Sequence, residues 1–124
     1  MRSDRLNRNR GGCCIYIQEQ LNILSSDKYD NDYCEAVTAV LDSKVLVVCI
    51  YRPPKTPAEN FEEVLTFMQT AIDQVDPSFT VIITGDFNFP GICWKNHTID
   101  TNGLTSDCKA SSNFMERNFL TQLV

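Results

Sequence analysis

A carboxylate and an amide stand two positions apart where one β-branched run of the sequence ends. Residues 80–84 (TVIIT) predict a short buried strand, and Asp86 and Asn88 follow it. Alternate residues of an extended chain share a face, so the two side chains converge there. Such a pair suits orienting a water, stabilising a phosphoryl oxygen or binding a hard cation. A plain turn is the alternative, because Gly-Asp-x-Asn is rich in turn formers.

A phenol and a guanidinium stand at the end of a second apolar run. Val45–Tyr51 (VLVVCIY) lacks strict alternation, which predicts a central strand covered on both faces. Tyr51 and Arg52 at its end can present a hydroxyl and a cation to a phosphate. A core tyrosine with its hydroxyl at the rim is the plainer interpretation. If this strand runs parallel to residues 80–84, then Tyr51 and Asp86 meet at one edge of the sheet.

Two further strands are predicted on the amino-terminal side. Residues 13–18 (CCIYIQ) are rich in β-favouring side chains and follow a pair of glycines, whereas residues 22–33 are polar and turn-rich. Glu35–Leu41 ends at a turn signal just before Val45–Tyr51. This arrangement predicts an antiparallel hairpin.

Two amphipathic helices are predicted. The string TPAE at 56–59 offers Thr56 as an N-cap, proline at the first helical position and a glutamate that completes a capping box. One apolar stripe follows at helical spacing, and core packing explains it: Phe61, Val64, Leu65, Met68, Ile72 and Val75. Residues 113–124 predict a second helix, inside which the sequence stops. Residues 1–124 therefore predict a single domain with mixed α/β layers.

Composition excludes several classes of protein. The longest apolar run is far shorter than the ~20 residues of a membrane span, and no secretory signal is visible, so an intracellular protein is expected. The net charge is −5 although residues 1–10 are basic, so the rest of the chain is acidic and does not favour non-specific electrostatic binding of nucleic acid.

The six cysteines lack C-x-x-C spacing, which predicts reduced thiols, mostly in the core. Zinc is the weaker alternative, since the sequence has one histidine.

Three strings in the chain carry a family resemblance. Gly11 and Gly12 precede the first strand (GGCCIYI), residues 51–54 read YRPP, and residues 84–94 read TGDFNFPGICW. In this order and spacing they resemble the endonuclease/exonuclease/phosphatase superfamily, and more narrowly the apurinic-type endonuclease domain of non-LTR (LINE-type) retrotransposons. The resemblance runs from about residue 10 to residue 124.

The resemblance implies a fold and an activity. The fold is a four-layer α/β sandwich with two packed sheets, of which this chain is a middle part without the amino-terminal and carboxy-terminal strands. The activity is that of a Mg²⁺-dependent phosphodiesterase that nicks DNA in the nucleus and leaves a 3′-hydroxyl to prime reverse transcription. The full-length parent would carry a reverse transcriptase domain, and no membrane partner is implied.

The resemblance also implies roles for individual residues. Asp86 would position the attacking water, Asn88 would help to hold that water and the phosphate, and Tyr51 would contact the scissile phosphate. No metal ligand is assigned. Further substrate contacts are implied for Arg52, Gly11 and Gly12.

The sequence departs from the family pattern on both sides of these strings. Family members carry an asparagine and a metal-binding glutamate on strands before the Gly-Gly pair, which only ten residues precede here. The later Ser-Asp-His segment that supplies the catalytic histidine has no match, and His97 lies in a polar loop at another position. The isolated chain is therefore expected to be inactive. The alternatives are a non-catalytic remnant or weak DNA-binding module, and a phosphoesterase of the same superfamily with lipid or nucleotide substrates.

Overall fold

A four-stranded mixed sheet with a helix packed on one face makes up most of the described chain. The computed structural model describes residues 2–3, 12–89, 92–93, 98–99 and 106–123. The strands are β1 (Arg2–Ser3), β2 (Cys13–Cys14), β3 (Ile23–Asp30), β4 (Glu35–Leu41), β5 (Val45–Tyr51), β6 (Thr80–Asp86), β7 (Ile92–Cys93) and β8 (Thr98–Ile99). The helices are α1 (Ala58–Asp73) and α2 (Ser106–Arg117).

The order of strands in the main sheet is β3-β4-β5-β6. Two antiparallel pairings join β3 to β4 and β4 to β5, and a parallel pairing joins β5 to β6 across α1. Lys44 closes the β4–β5 turn with a φ of 60°. Two short antiparallel ribbons, β1–β2 and β7–β8, accompany the sheet. The predicted hairpin, the central position of β5 and a mixed α/β architecture are therefore confirmed.

The predicted stripe of α1 forms the core against one face of β5. Phe61, Val64 and Met68 are fully buried and cluster with Leu46 and the other inward side chains of that strand. The remaining stripe residues, Leu65, Ile72 and Val75, are partly buried against the same cluster. Core packing is thus the confirmed explanation of this stripe.

The predicted N-cap of this helix is wrong. The cap position is Pro57, with a φ of −59° and no side-chain hydrogen bond to the helix. The hydroxyl of Thr56 instead donates to the carbonyl of Pro53 at 2.7 Å, inside the turn that connects β5 to α1. The turn therefore uses the hydroxyl that the sequence pattern assigned to the helix.

The amino-terminal strands differ from their predictions. The first strand is confined to Cys13–Cys14 and does not extend over residues 15–18. The polar stretch predicted as turns contains β3, eight residues long and almost entirely exposed. An edge strand is held by backbone hydrogen bonds to β4 and needs little apolar side-chain content, so its sequence carries no apolar signal.

The strand β6 is paired with β5 but is not buried as predicted. Its outward side chains Thr80, Ile82 and Thr84 are exposed, with Ile82 at 47%. The outward face of β5 is half-buried, so coverage on both faces is found for β4 and only in part for β5. β-Branched composition reports strand preference and does not by itself report burial.

The second helix begins and ends earlier than predicted. It spans Ser106–Arg117, and the apolar residues that suggested a later helix include Phe119 and Leu123, which are almost fully exposed. Its buried face uses Cys108 and Ser111, two small side chains that a search for large apolar residues overlooks. The helix packs on α1, where the amides of Gln69 and Asn118 exchange two hydrogen bonds.

Five cysteines whose side chains the structure describes are free thiols, as predicted. Cys13, Cys34 and Cys108 are buried, Cys49 is half-buried and Cys14 is exposed. No helix within the described segments combines the length and the apolar character that a membrane span requires.

Truncation of the core side chain of Leu46 tests this packing. Leu46 is 0% exposed, so Leu46→Ala is expected to lower the free energy of unfolding by about 2–5 kcal/mol. Leu24→Ala is the matched control, since Leu24 is 62% exposed, and a change within about 0.5 kcal/mol is expected there. Urea denaturation followed by circular dichroism measures both. Equal losses in the two variants would contradict the assigned core.

Candidate active site

Tyr51 and Asp86 lie side by side at the carboxyl ends of two neighbouring strands. They are the last pair of the parallel ladder between β5 and β6. The parallel arrangement on which the sequence argument depended is therefore confirmed. Tyr51 is half-buried and Asp86 is exposed, so a phenol and a carboxylate share one rim of the sheet. This is the rim at which α/β sheets place their ligand sites.

The cross-strand partners of Tyr51 on β4 and β3 extend this rim, and they include Glu35, a residue that sequence reasoning missed. Glu35, the first residue of β4, is the cross-strand partner of Tyr51, and Asp30 is the partner of Glu35. Directly paired residues point to the same face. Glu35 is fully buried. Counting back from the β4–β5 turn, where Leu41 pairs with Val45, would have placed Glu35 beside Tyr51.

The chain turns sharply after Asp86 and brings Asn88 back to the end of β5. Asn88 has a φ of 48°, in the left-handed region that asparagine tolerates better than most residues. Its backbone N–H donates to Oδ1 of Asp86 at 3.1 Å, and its side-chain Nδ2 donates to the carbonyl of Arg52 at 2.8 Å. The extended geometry assumed from the sequence is therefore wrong here. A turn instead joins the backbone of Asn88 to the carboxylate of Asp86 and directs the Asn88 side chain to the end of β5.

Arg52 lies beneath that turn with its guanidinium buried. It is 5% exposed, and its NH1 group donates to the carbonyls of Phe87 at 3.2 Å and Asn88 at 3.0 Å. The guanidinium carbon lies 4.4 Å from the ring centroid of Phe89 and 5.2 Å from that of Phe61. Arg52 thus joins the end of β5, the loop after β6 and the first turn of α1. The substrate contact implied for Arg52 stays a prediction.

Gly85 permits the close approach of β6 to β5 just before the site. Its φ is +136°, and a Cβ at this position would lie 1.9 Å from the carbonyl oxygen of Ile50. No other residue type fits without moving one of the two strands. The glycine of Gly-Asp-Phe-Asn is therefore required by the backbone, whatever chemistry follows it.

The other predicted site residues are placed only in part. Gly12 has a φ of 120° and immediately precedes Cys13, which contacts Cys49 on β5, two residues before Tyr51. Gly11 and His97 lie outside the described residues.

The arrangement offers acceptors and a phenol at one rim, and it does not form a metal site by itself. No three histidine, cysteine, aspartate or glutamate side chains in the described segments come together closely enough to hold an ion. Mg²⁺ is usually held by one or two carboxylates together with waters and substrate phosphate. Asp86 contributes one exposed carboxylate, the lower limit of such a ligand set, so the described residues would hold Mg²⁺ only together with waters and substrate phosphate.

Removal of the buried guanidinium tests the anchoring of the loop. Arg52→Ala removes two charge-assisted hydrogen bonds and two ring contacts, and the free energy of unfolding is expected to fall by about 2–4 kcal/mol. Arg117→Ala is the matched control, since Arg117 is exposed at the end of α2, with an expected change within about 0.5 kcal/mol. Urea denaturation measures both variants. An unchanged stability in Arg52→Ala would show that the loop does not depend on this contact.

Comparison with known proteins identifies a family. No curated protein and no solved structure matches the chain. The model of one protein family, described as endonuclease-reverse transcriptase, matches residues 45–123, from the first residue of β5 to beyond the end of α2. This segment is more than half of the chain, and it contains the phenol, the buried guanidinium, the carboxylate and the amide described above. The chain therefore belongs to the endonuclease-reverse transcriptase family.

Proposed function

We propose that this chain forms part of a metal-dependent DNA endonuclease that hydrolyses phosphodiester bonds and nicks target DNA for reverse transcription. The observation that carries the proposal is the in-register pairing of Tyr51 with Asp86 at the carboxyl rim of the parallel strands. Family membership adds the reaction class. DNA in the nucleus is then the substrate, and the parent protein supplies the reverse transcriptase domain.

Each residue at the rim has a part in this proposal. Asp86 is exposed and accepts a hydrogen bond from the attacking water, which it orients toward the phosphorus. Tyr51 donates its hydroxyl to an oxygen of the scissile phosphate. Asn88 helps to hold the phosphate and the water, in addition to its bond to the end of β5. Arg52, Gly11 and Gly12 are the further proposed substrate contacts, and Arg52 also holds the loop that carries Asn88.

Mg²⁺ is the cofactor proposed for the complete reaction, and no residue role above depends on it. When bound, such an ion stabilises the charge that develops on the phosphate oxygens. The described residues supply at most one of its carboxylate ligands.

The proposal extends to the fold. We propose that residues 1–124 belong to one domain, an incomplete four-layer α/β sandwich. The outward face of β5 and β6 supports this proposal, because Val45 and Val47 are only half-buried and Ile82 is 47% exposed. A second sheet packed on this face would bury these side chains.

Plasmid nicking tests the catalytic part of the proposal. The isolated 124-residue chain with Mg²⁺ is expected to leave supercoiled plasmid intact at the level of Asp86→Ala, because the printed sequence has no match to the family's Ser-Asp-His segment. Gel electrophoresis of the plasmid measures this. Nicking by the native chain that disappears in Asp86→Ala would overturn the expected inactivity while supporting the endonuclease chemistry.

DNA binding tests the placement of Asp86 beside the phosphate. Asp86→Asn removes a negative charge there and is expected to tighten binding of a short duplex about threefold, by the Coulomb energy of one charge pair at ~6 Å in water. Asp73→Asn is the matched control on the exposed side of α1, where no change is expected. Fluorescence anisotropy at low salt measures both. The same response in the two variants would mean that the phosphate does not bind at this rim.

A further inference from the structure

Two thiols meet between the amino-terminal ribbon and the central strand. The Cys13 thiol of β2 lies beside the Cys49 thiol of β5 where β2 packs against the sheet, and the backbone of Cys14 lies next to the same sulfur. Cys13 is 7% exposed, whereas Cys49 is half-buried. Residues alternate between faces along a strand, so Cys49 lies on the face of β5 opposite the core that packs on α1. The strand β2 contacts the sheet on that outward face.

The two thiols differ in acidity because one donates to the other. The hydrogen bond from Cys13, aided by the backbone N–H of Cys14, lowers the pKa of Cys49 to about 7 against the opposing effect of burial. The hydrogen bond to Cys49, burial and the nearby carboxylate Glu35 raise the pKa of Cys13. Near neutral pH Cys49 is therefore partly ionised beside a protonated Cys13 thiol, which is the arrangement of a nucleophile and a resolving cysteine.

We propose that Cys13 and Cys49 are a redox-active pair that hydrogen peroxide converts into a disulfide between β2 and β5. The thiolate of Cys49 attacks one peroxide oxygen, the O–O bond breaks, and a sulfenic acid and hydroxide form. The sulfur of Cys13 then attacks the sulfur of Cys49, the S–O bond breaks, and the proton of Cys13 goes to the departing hydroxide. Two thiols lose two electrons, peroxide becomes two waters, and a dithiol reductant reverses the change.

A disulfide between Cys13 and Cys49 would lie close to the candidate active site. Cys49 lies two residues before Tyr51, and Cys13 directly follows Gly12. A covalent bond between them fastens the glycine segment to the strand that carries the phenol. The oxidation itself does not depend on the proposed nuclease chemistry.

A peptide map of the oxidised chain tests the proposal. The full chain is reduced, freed of reductant, treated with one equivalent of hydrogen peroxide, blocked with N-ethylmaleimide and digested with trypsin without reduction. Mass spectrometry is expected to show residues 11–28 linked to residues 45–55, with a loss of two hydrogen atoms that dithiothreitol restores. The absence of any cross-link, or a cross-link to the peptides of Cys34 or Cys108, would overturn the proposal.

Adjacent cysteines on β2 provide a matched pair of variants. Cys14 is exposed on the opposite side of the same two-residue strand, so Cys14→Ser is expected to keep the cross-link and Cys13→Ser to lose it. A cross-link that survives in Cys13→Ser would assign the bond to Cys14 and refute the pairing.

A measurement on the native chain alone covers the case in which Cys13→Ser does not fold. The rate at which iodoacetamide alkylates Cys49 is expected to rise with pH through a midpoint of about 7, the pKa of that thiol. The titratable groups beside this pair are Cys14, on the same strand as Cys13, and Glu35 on β4. A midpoint at the usual pKa of a thiol, about 8.5, would contradict the contact on which the proposal depends.

Discussion

The parallel pairing of β5 with β6 is the constraint on which the candidate active site depends. Two parallel neighbours need a crossover to the same end of the sheet, and α1 provides it. The helix lies on the sheet because its apolar stripe packs on the inward face of β5. Gly85 then allows β6 to approach Ile50 so closely that the ladder continues as far as the pair Tyr51 and Asp86. Helix packing, the glycine and the rim are thus parts of one arrangement.

The buried guanidinium of Arg52 provides hydrogen-bond donors for the loop that follows the last pair of the β5–β6 ladder. The loop after β6 leaves the sheet, and its carbonyl oxygens lose their strand partners at that point. Arg52 supplies N–H donors to two of them, while Phe61 and Phe89 flank its guanidinium. Burial of a charge is unfavourable unless hydrogen bonds and ring contacts replace its water. The shape of the loop and the burial of this arginine therefore depend on each other.

Sequence reasoning found the parts of this structure that apolar patterning and turn chemistry specify. The hairpin of β4 and β5, the core stripe of α1 and the meeting of Tyr51 with Asp86 belong to this class. The strand β3 is not predictable in this way, because an edge strand held by backbone hydrogen bonds shows no apolar pattern in its side chains. Thr56 was assigned to the helix although the neighbouring turn competes for its hydroxyl. The extent of α2 was misjudged because Cys108 and Ser111 form its buried face.

Other contacts in the structure can be predicted only when the register of the strands is known, because composition does not specify them. Glu35 carries no signal of its own at the start of an apolar run, and only its pairing shows that it adjoins Tyr51. The contact between Cys13 and Cys49 likewise joins two segments that the sequence describes separately. In both cases the missing information is a long-range pairing, which local preference does not contain.

The two kinds of strand pairing imply an order in which the native structure forms. Partners at the turn of the β4–β5 hairpin, such as Leu41 and Val45, are close neighbours along the chain, whereas partners on β5 and β6 lie 35 positions apart. Closing a longer loop loses more chain entropy before any contact compensates for it. The hairpin therefore assembles early and β6 docks late, after α1 has formed. Asp86 reaches Tyr51 only in that final step, so partly folded forms of the chain have a sheet without the rim that carries the candidate site.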